Sequence, residues 1–271
     1  MSLARGSFAA IAGANGAGKT TLAGLLTGAR DAPKGTIFLD GADMSAIPPW
    51  AVSEQVGLVF QNPEHQFVTD TVFGELAYSL APRAGRRHAG RLTDEQKSRV
   101  EGWLDRLGLL ALAEANPFTL SQGQKRRLSV GSMLIRGQSS LVLDEPTLGQ
   151  DELQSNRLMT MMQQLRAEGR TVAMVTHDMR LVAENADALV VLNGGEVAFA
   201  GEPADFFRRP ADVEGAGLAM PALGVVSHLL HCEAGTPNGL HTLRRFTQVA
   251  GHAADHAGGA RGPAPGTEGG R

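Results

Sequence analysis

Cysteine is nearly absent: Cys232 is the only one in 271 residues, so the chain cannot form a disulfide with itself. That suits a cytoplasmic protein. Long apolar runs are absent too. No uninterrupted stretch reaches the roughly 20 residues that a membrane span needs. Met1 to Arg5 does not lead from a cationic segment into an apolar signal core. These absences predict a chain that is soluble by itself, so any work at a membrane needs spanning helices from a partner. A large excess of charge is also lacking. The net charge is −3 and the isoelectric point about 6.2. No bulk attraction to nucleic acid or to an acidic membrane follows, and no nucleic-acid partner is expected. Lysine is scarce, with residues only at 19, 34, 97 and 125. What is present is a hydrophobic content of 42%, enough for a real core. The length fits one large α/β domain with a subdomain and a tail.

One of the few lysines falls in a significant slot. Gly13-Ala14-Asn15-Gly16-Ala17-Gly18-Lys19-Thr20-Thr21 matches G-x-x-x-x-G-K-[ST] through Gly13, Gly18, Lys19 and Thr20. Ser7 to Ala12 before it reads as a buried strand, and Thr21 to Leu26 after it as a helix. A strand, glycine loop and helix in that order aim backbone N–H groups and a helix dipole at one spot. Glycines let the chain curl with its amides inward, and side chains there would block a phosphate. Lys19 is expected to reach the β- and γ-phosphates of a nucleotide, and the Thr20 hydroxyl to ligate Mg²⁺.

Further along, Thr36 to Gly41 and Val56 to Phe60 read as strands. From about 64 to 138 the pattern is helical. Thr71 to Leu80 is one helix. Thr93-Asp94-Glu95-Gln96 is a capping-box sequence, opening a helix with Val100, Trp103, Leu104 and Leu107 on one face. Ser121 begins another. Strand character returns at Ser140 to Asp144, followed by a helix with Leu158, Met161, Met162 and Leu165 as core. A strand over Thr171 to Thr176, a helix over 179–186 and a strand over Ala188 to Leu192 follow. Asn193-Gly194 marks a hairpin into Glu196 to Ala200. This is a helical block inserted into an α/β sheet. The basic run Arg83, Arg86, Arg87, His88 and Arg91 reads as a solvated connector. The tail after about 250 is expected to be disordered.

Leu141-Val142-Leu143-Asp144-Glu145 is an apolar strand ending in two carboxylates. Asp144 can hold Mg²⁺ beside Thr20. Glu145 can take a proton from attacking water. Leu120-Ser121-Gln122-Gly123-Gln124 resembles the signature sequence of ATP-binding cassette proteins, with Gln122 in place of its first glycine. The expected fold is therefore that of a P-loop NTPase, with the cassette's inserted helical subdomain. In that family the signature of one subunit closes over ATP held by another. The resemblance makes Gly13, Asn15, Gly16, Gly18, Lys19, Thr20 and Thr21 nucleotide contacts. It adds Ser121, Gln122, Gly123 and Gln124, and Asp151 of the D-loop Leu148-Gly149-Gln150-Asp151. Gln61 is similar to the Q-loop glutamine that touches Mg²⁺ and the attacking water. His177 is similar to the switch histidine. Catalysis then rests on Glu145, His177 and Gln61, and Mg²⁺ on Thr20, Gln61 and Asp144. A soluble DNA-repair ATPase would need a long coiled-coil insertion between Gln61 and Ser121, and the helical block is too short for one.

Phe60-Gln61-Asn62-Pro63, with Gln66 shortly after, resembles the Q-loop of energy-coupling factor ATPases. Ser121 to Arg127, Gly149-Gln150-Asp151 and Gly215 to Pro221 are similar to the same branch. The resemblance implies an ATPase on the cytoplasmic face of the membrane, paired with a second ATPase subunit. Beneath a T component and a substrate-binding S component, it would drive import of a vitamin or transition-metal ion. Another ABC importer, or a truncated non-catalytic partner, is the alternative. The resemblance covers roughly residues 6–230. Residues 1–230 are expected to form the cassette domain, with its helical subdomain at about 64–138, and 231–271 a C-terminal segment. The family normally begins with further strands and an aromatic residue that stacks on adenine. Only eighteen residues precede Lys19 here, and Phe8 belongs to the strand entering the loop. The expectation is a start whose strands are missing, through truncation, misassignment or severance from a two-cassette polypeptide, or else another hold on adenine.

Overall fold

The computed structural model describes residues 2–80, 92–222 and 224–225. The basic run at 83–91, Cys232 and the tail lie outside them.

β1 (Phe8–Gly13) is buried at every position and leads through the glycine loop into α1 (Lys19–Leu26). β2 (Phe38–Leu39) and β3 (Ala42–Asp43) pair antiparallel, and α2 (Pro49–Gln55) runs into β4 (Val56–Val59). Three helices follow: α3 (Val72–Leu80), α4 (Asp94–Arg106) and α5 (Gln122–Leu134). The chain then alternates β5 (Ser140–Asp144), α6 (Glu152–Ala167), β6 (Thr171–Val175), α7 (Met179–Asn185) and β7 (Ala188–Asn193). It continues through β8 (Glu196–Gly201), α8 (Pro203–Phe207) and α9 (Pro210–Gly215).

Six strands form one sheet in the order β4-β5-β6-β1-β7-β8. Every pairing is parallel except β7 with the edge strand β8. Parallel strands with both faces covered read as continuous apolar runs, and β1, β5 and β6 do so. One face packs on α3, α4, α5 and α6 through Leu76, Val100, Leu104, Leu128, Leu158 and Met162. The other packs on α1 and α2 through Ala23 and Val52. The parallel strands all end at one side of the sheet. That side is where open α/β sheets bind ligands.

The expected capping box of α4 is present: Thr93 accepts from the Gln96 N–H, and Gln96 accepts in return from Thr93. Val100, Leu104 and Leu107 are buried on one face, and Trp103 packs half-buried beside them. Three boundaries differ from expectation. Only Phe38–Leu39 of the 36–41 stretch is strand, because Asp40 and Gly41 take positive φ and turn the chain into β3. Helix α2 lies between the two expected strands, where no helix is expected; Pro49 at its first turn nucleates it, and Val52 is its one buried residue. The hairpin turn is Gly194-Gly195, both at positive φ, because Asn193 itself pairs with Glu196.

Candidate functional site

The glycine loop closes tightly at both ends. A Cβ on Gly13 would lie 2.3 Å from the Leu192 carbonyl oxygen, so no other residue fits beneath β7. Gly18 takes φ 98° and caps α1 with no side chain, leaving the first N–H groups of the helix facing the loop. Lys19 is 93% buried by its surroundings, with 7% exposure. Its ammonium folds back over the loop and donates to the carbonyls of Gly13 at 2.8 Å and Ala14 at 3.0 Å. These contacts satisfy a buried charge until an anion enters.

Asp144 ends β5, opposite Val175 of β6. Burial pushes its carboxyl above the ordinary carboxylate range. A hydrogen bond from Thr20, and the charges of Lys19 and Arg126, pull the other way; Glu145 adds to the rise. Glu145 follows at φ 45°, a left-handed conformation that costs a non-glycine residue about 1–3 kcal/mol. Its N–H is fixed by the Val175 carbonyl at 2.9 Å. The turn carries its carboxylate to 2.9 Å from Nδ1 of His177, which follows β6. Glu145 is mostly enclosed and His177 half exposed.

An open cleft of about 500 Å³ gathers Asn15, Gly16, Gly18, Lys19, Thr20, Thr21, Gln61, Asp144, Glu145 and His177. Leu148 joins them, a residue that sequence reading did not put there. Gly13 shapes the loop from behind. Ser121, Gln122, Gly123, Gln124 and Asp151 do not line this cleft. Ser121 and Gln124 form a second capping box, at the start of α5, through bonds of 2.8 and 3.4 Å. A Cβ on Gly123 would meet the Gln154 amide at 2.4 Å. Asp151 caps α6 by accepting from the Gln154 N–H at 2.8 Å. Gln122 lines a neighbouring cleft of about 430 Å³ with Gln61, Leu148 and Gln150. Phe8 is fully buried in the core.

Gln61 is exposed, yet its backbone is held firmly. Arg126 donates to the carbonyl of Phe60 and, at 2.6 Å, to that of Gln61. The Gln66 amide bonds both the Phe60 N–H and the Leu58 carbonyl, each at 3.3 Å, and Ser129 donates to it. Lys125 pairs with Glu64 at 2.6 Å. Sequence reading assigned Arg126 no task. A signal existed: it stands four and eight residues before Val130 and Leu134, in register with a buried stripe. A cation on such a stripe needs partners, because a bare buried charge is costly.

Comparison with known proteins identifies the family. The family description of the ABC transporter matches residues 1–148. A Bacillus subtilis protein named for HMP/thiamine import, the ATP-binding protein YkoD, is 42% identical over 224 residues. That match covers 82% of this chain and 39% of YkoD. The ABC transporter ATP-binding protein PH0132 of Pyrococcus horikoshii is 39% identical over 218 residues, covering 80% of this chain and 81% of that protein. Among solved structures, cbiO1 of Clostridium perfringens, part of the ABC transporter complex cbiONQ, superposes with a TM-score of 0.68 at 29% identity. The superposition covers 84% of this chain and 90% of cbiO1. The chain thus spans about two fifths of YkoD but most of PH0132 and cbiO1. Fold and family both stand as the sequence motifs anticipated: the chain belongs to the ABC transporter family of ATP-binding proteins.

Proposed function

We propose that this chain is the ATP-hydrolysing subunit of an energy-coupling factor importer for a vitamin or transition-metal ion. The observation that carries the reading is the Glu145–His177 contact at the rim of the Lys19 loop, in one cleft with Gln61 and Asp144. The names of YkoD and cbiO1 support import and a multi-subunit complex. Residues 1–230 are the cassette domain, with its helical subdomain at about 64–138.

Each side chain has a task in ATP hydrolysis. Lys19 exchanges the carbonyls of Gly13 and Ala14 for the β- and γ-phosphates. The amides of Gly16, Gly18 and Thr21 hold phosphate oxygens. Glu145 accepts the proton of the attacking water. His177 fixes the Glu145 carboxylate and senses the γ-phosphate. A hydroxyl and a carboxylate in contact are hard oxygen donors, and this donor set fits Mg²⁺. Thr20 and Asp144, with the Gln61 amide, would hold the ion, which supplies charge neutralisation on the phosphates. Ser121, Gln122, Gly123, Gln124 and Asp151 stand off this cleft, so they act on ATP held by a second ATPase subunit. Among the described residues no helix is long and apolar enough to cross a membrane. Delivery of the work to a T component and its S component, at the cytoplasmic face, belongs to the same proposal.

The test is ATP turnover by the purified chain with Mg²⁺. Glu145→Gln should bind ATP as the wild type does and turn over roughly 10²–10⁴-fold more slowly, the loss typical of a general base. Unchanged turnover would contradict the role of Glu145, and no turnover by the wild type would contradict the ATPase reading.

A further inference from the structure

We propose that Arg126 is a positioning residue that sets the place of Gln61 in the catalytic cleft. The proposal deepens the ATPase reading and rests on it. Three residues within about one turn of α5, Lys125, Arg126 and Ser129, reach the segment between β4 and α3. Lys125 pairs with Glu64, Arg126 holds the carbonyls of Phe60 and Gln61, and Ser129 bonds Gln66. Gln66 in turn bonds the backbone on both sides of Val59. The segment carrying Gln61 is thereby tied to the helix that Ser121 opens.

Arg126 carries most of this tie. It is 2% exposed, and burial pushes its guanidinium down to about 10, with Asp144 opposing the shift. Its Nε finds no partner among the described residues. Its two terminal nitrogens form a fork that fits two successive carbonyls, a geometry that lysine cannot copy. Movement of α5 would carry Gln61 with it. Because displacement of a reacting group by about 1 Å can cost roughly 100-fold in rate, a slack Gln61 registers in turnover.

The experiment compares wild type, Arg126→Met, Arg126→Lys, Gln61→Ala and the double variant Gln61→Ala/Arg126→Met. Turnover of Mg-ATP and hydrogen–deuterium exchange over residues 58–66 are measured for each. Arg126→Met should lower kcat about tenfold or more with KM within about twofold, and Arg126→Lys should fall in between. In the Gln61→Ala background Arg126→Met should change kcat by less than about twofold, because the two residues act as one. Exchange at 58–66 should quicken in Arg126→Met while that at 139–145 stays unchanged. Losses that multiply in the double variant would overturn the proposal. So would a rise in KM alone, or unchanged exchange. If Arg126→Met melts early, Arg126→Lys decides by the same criteria. Full activity of Gln61→Ala beside a slow Arg126→Met overturns the positioning role and leaves the ATPase reading intact.

Discussion

At the residue scale, two side chains carry most of what the site can do. Lys19 is buried and already satisfied by two carbonyls, so its charge is preorganised for phosphate. Lys19→Ala removes two charge-assisted bonds, to the β- and γ-phosphates, of the kind that each contribute about 1.5–3 kcal/mol, and ATP affinity should fall roughly 10²–10⁴-fold. A nucleotide titration with Mg²⁺ checks this, and unchanged affinity would sink the phosphate-loop assignment. Glu145 holds a left-handed backbone because the turn must swing its carboxylate towards His177. Glycine adopts that conformation freely and alanine does not. Glu145→Gly should therefore be more stable than Glu145→Ala by about 1 kcal/mol in equilibrium unfolding, while both lose turnover. Equal stability would mean the strain is absent. Lys19, Thr20, Asp144, Glu145 and His177 were legible in the sequence because each sits at a fixed offset from a strand end. The Glu145 strain was not, since one dihedral leaves no trace in residue pattern.

At the element scale, what the sequence reveals depends on whether a signal is local. The capping boxes at Thr93 and Ser121 are complete within four residues, and both formed. Helix α2 has one buried residue, too few to give a period. The Gln61 segment is held from α5, more than sixty residues away, and nothing local announces that. Packing of α5 gives a test of its own. A Cβ on Gly131 would meet Leu107 at 2.4 Å, and Leu107 is buried, with little room to yield. Gly131→Ala should cost about 1–3 kcal/mol by overpacking. Gly102, in α4, has nothing within 4 Å of such a carbon. Gly102→Ala should stabilise by about 0.5–1 kcal/mol. Denaturant unfolding of the two variants compares them directly, and equal shifts would refute the packing between α4 and α5.

At the scale of the whole molecule, the strand order β4-β5-β6-β1-β7-β8 was beyond sequence reading, because pairing between distant strands leaves no local pattern. Its consequence is that β1, β4, β5 and β6 end together and deliver Lys19, Gln61, Asp144, Glu145 and His177 to one cleft. The same architecture keeps the Ser121 capping box off that cleft. A site completed by two subunits follows from the proposed function. A mixture of a Lys19→Ala subunit with a Ser121→Arg subunit tests it most directly. A dimer of one of each collects both lesions in one composite site and leaves the other intact. ATP turnover is expected from the mixture where each variant alone is inactive. A mixture as inactive as either parent, when dimers of wild type with either variant retain turnover, would contradict it.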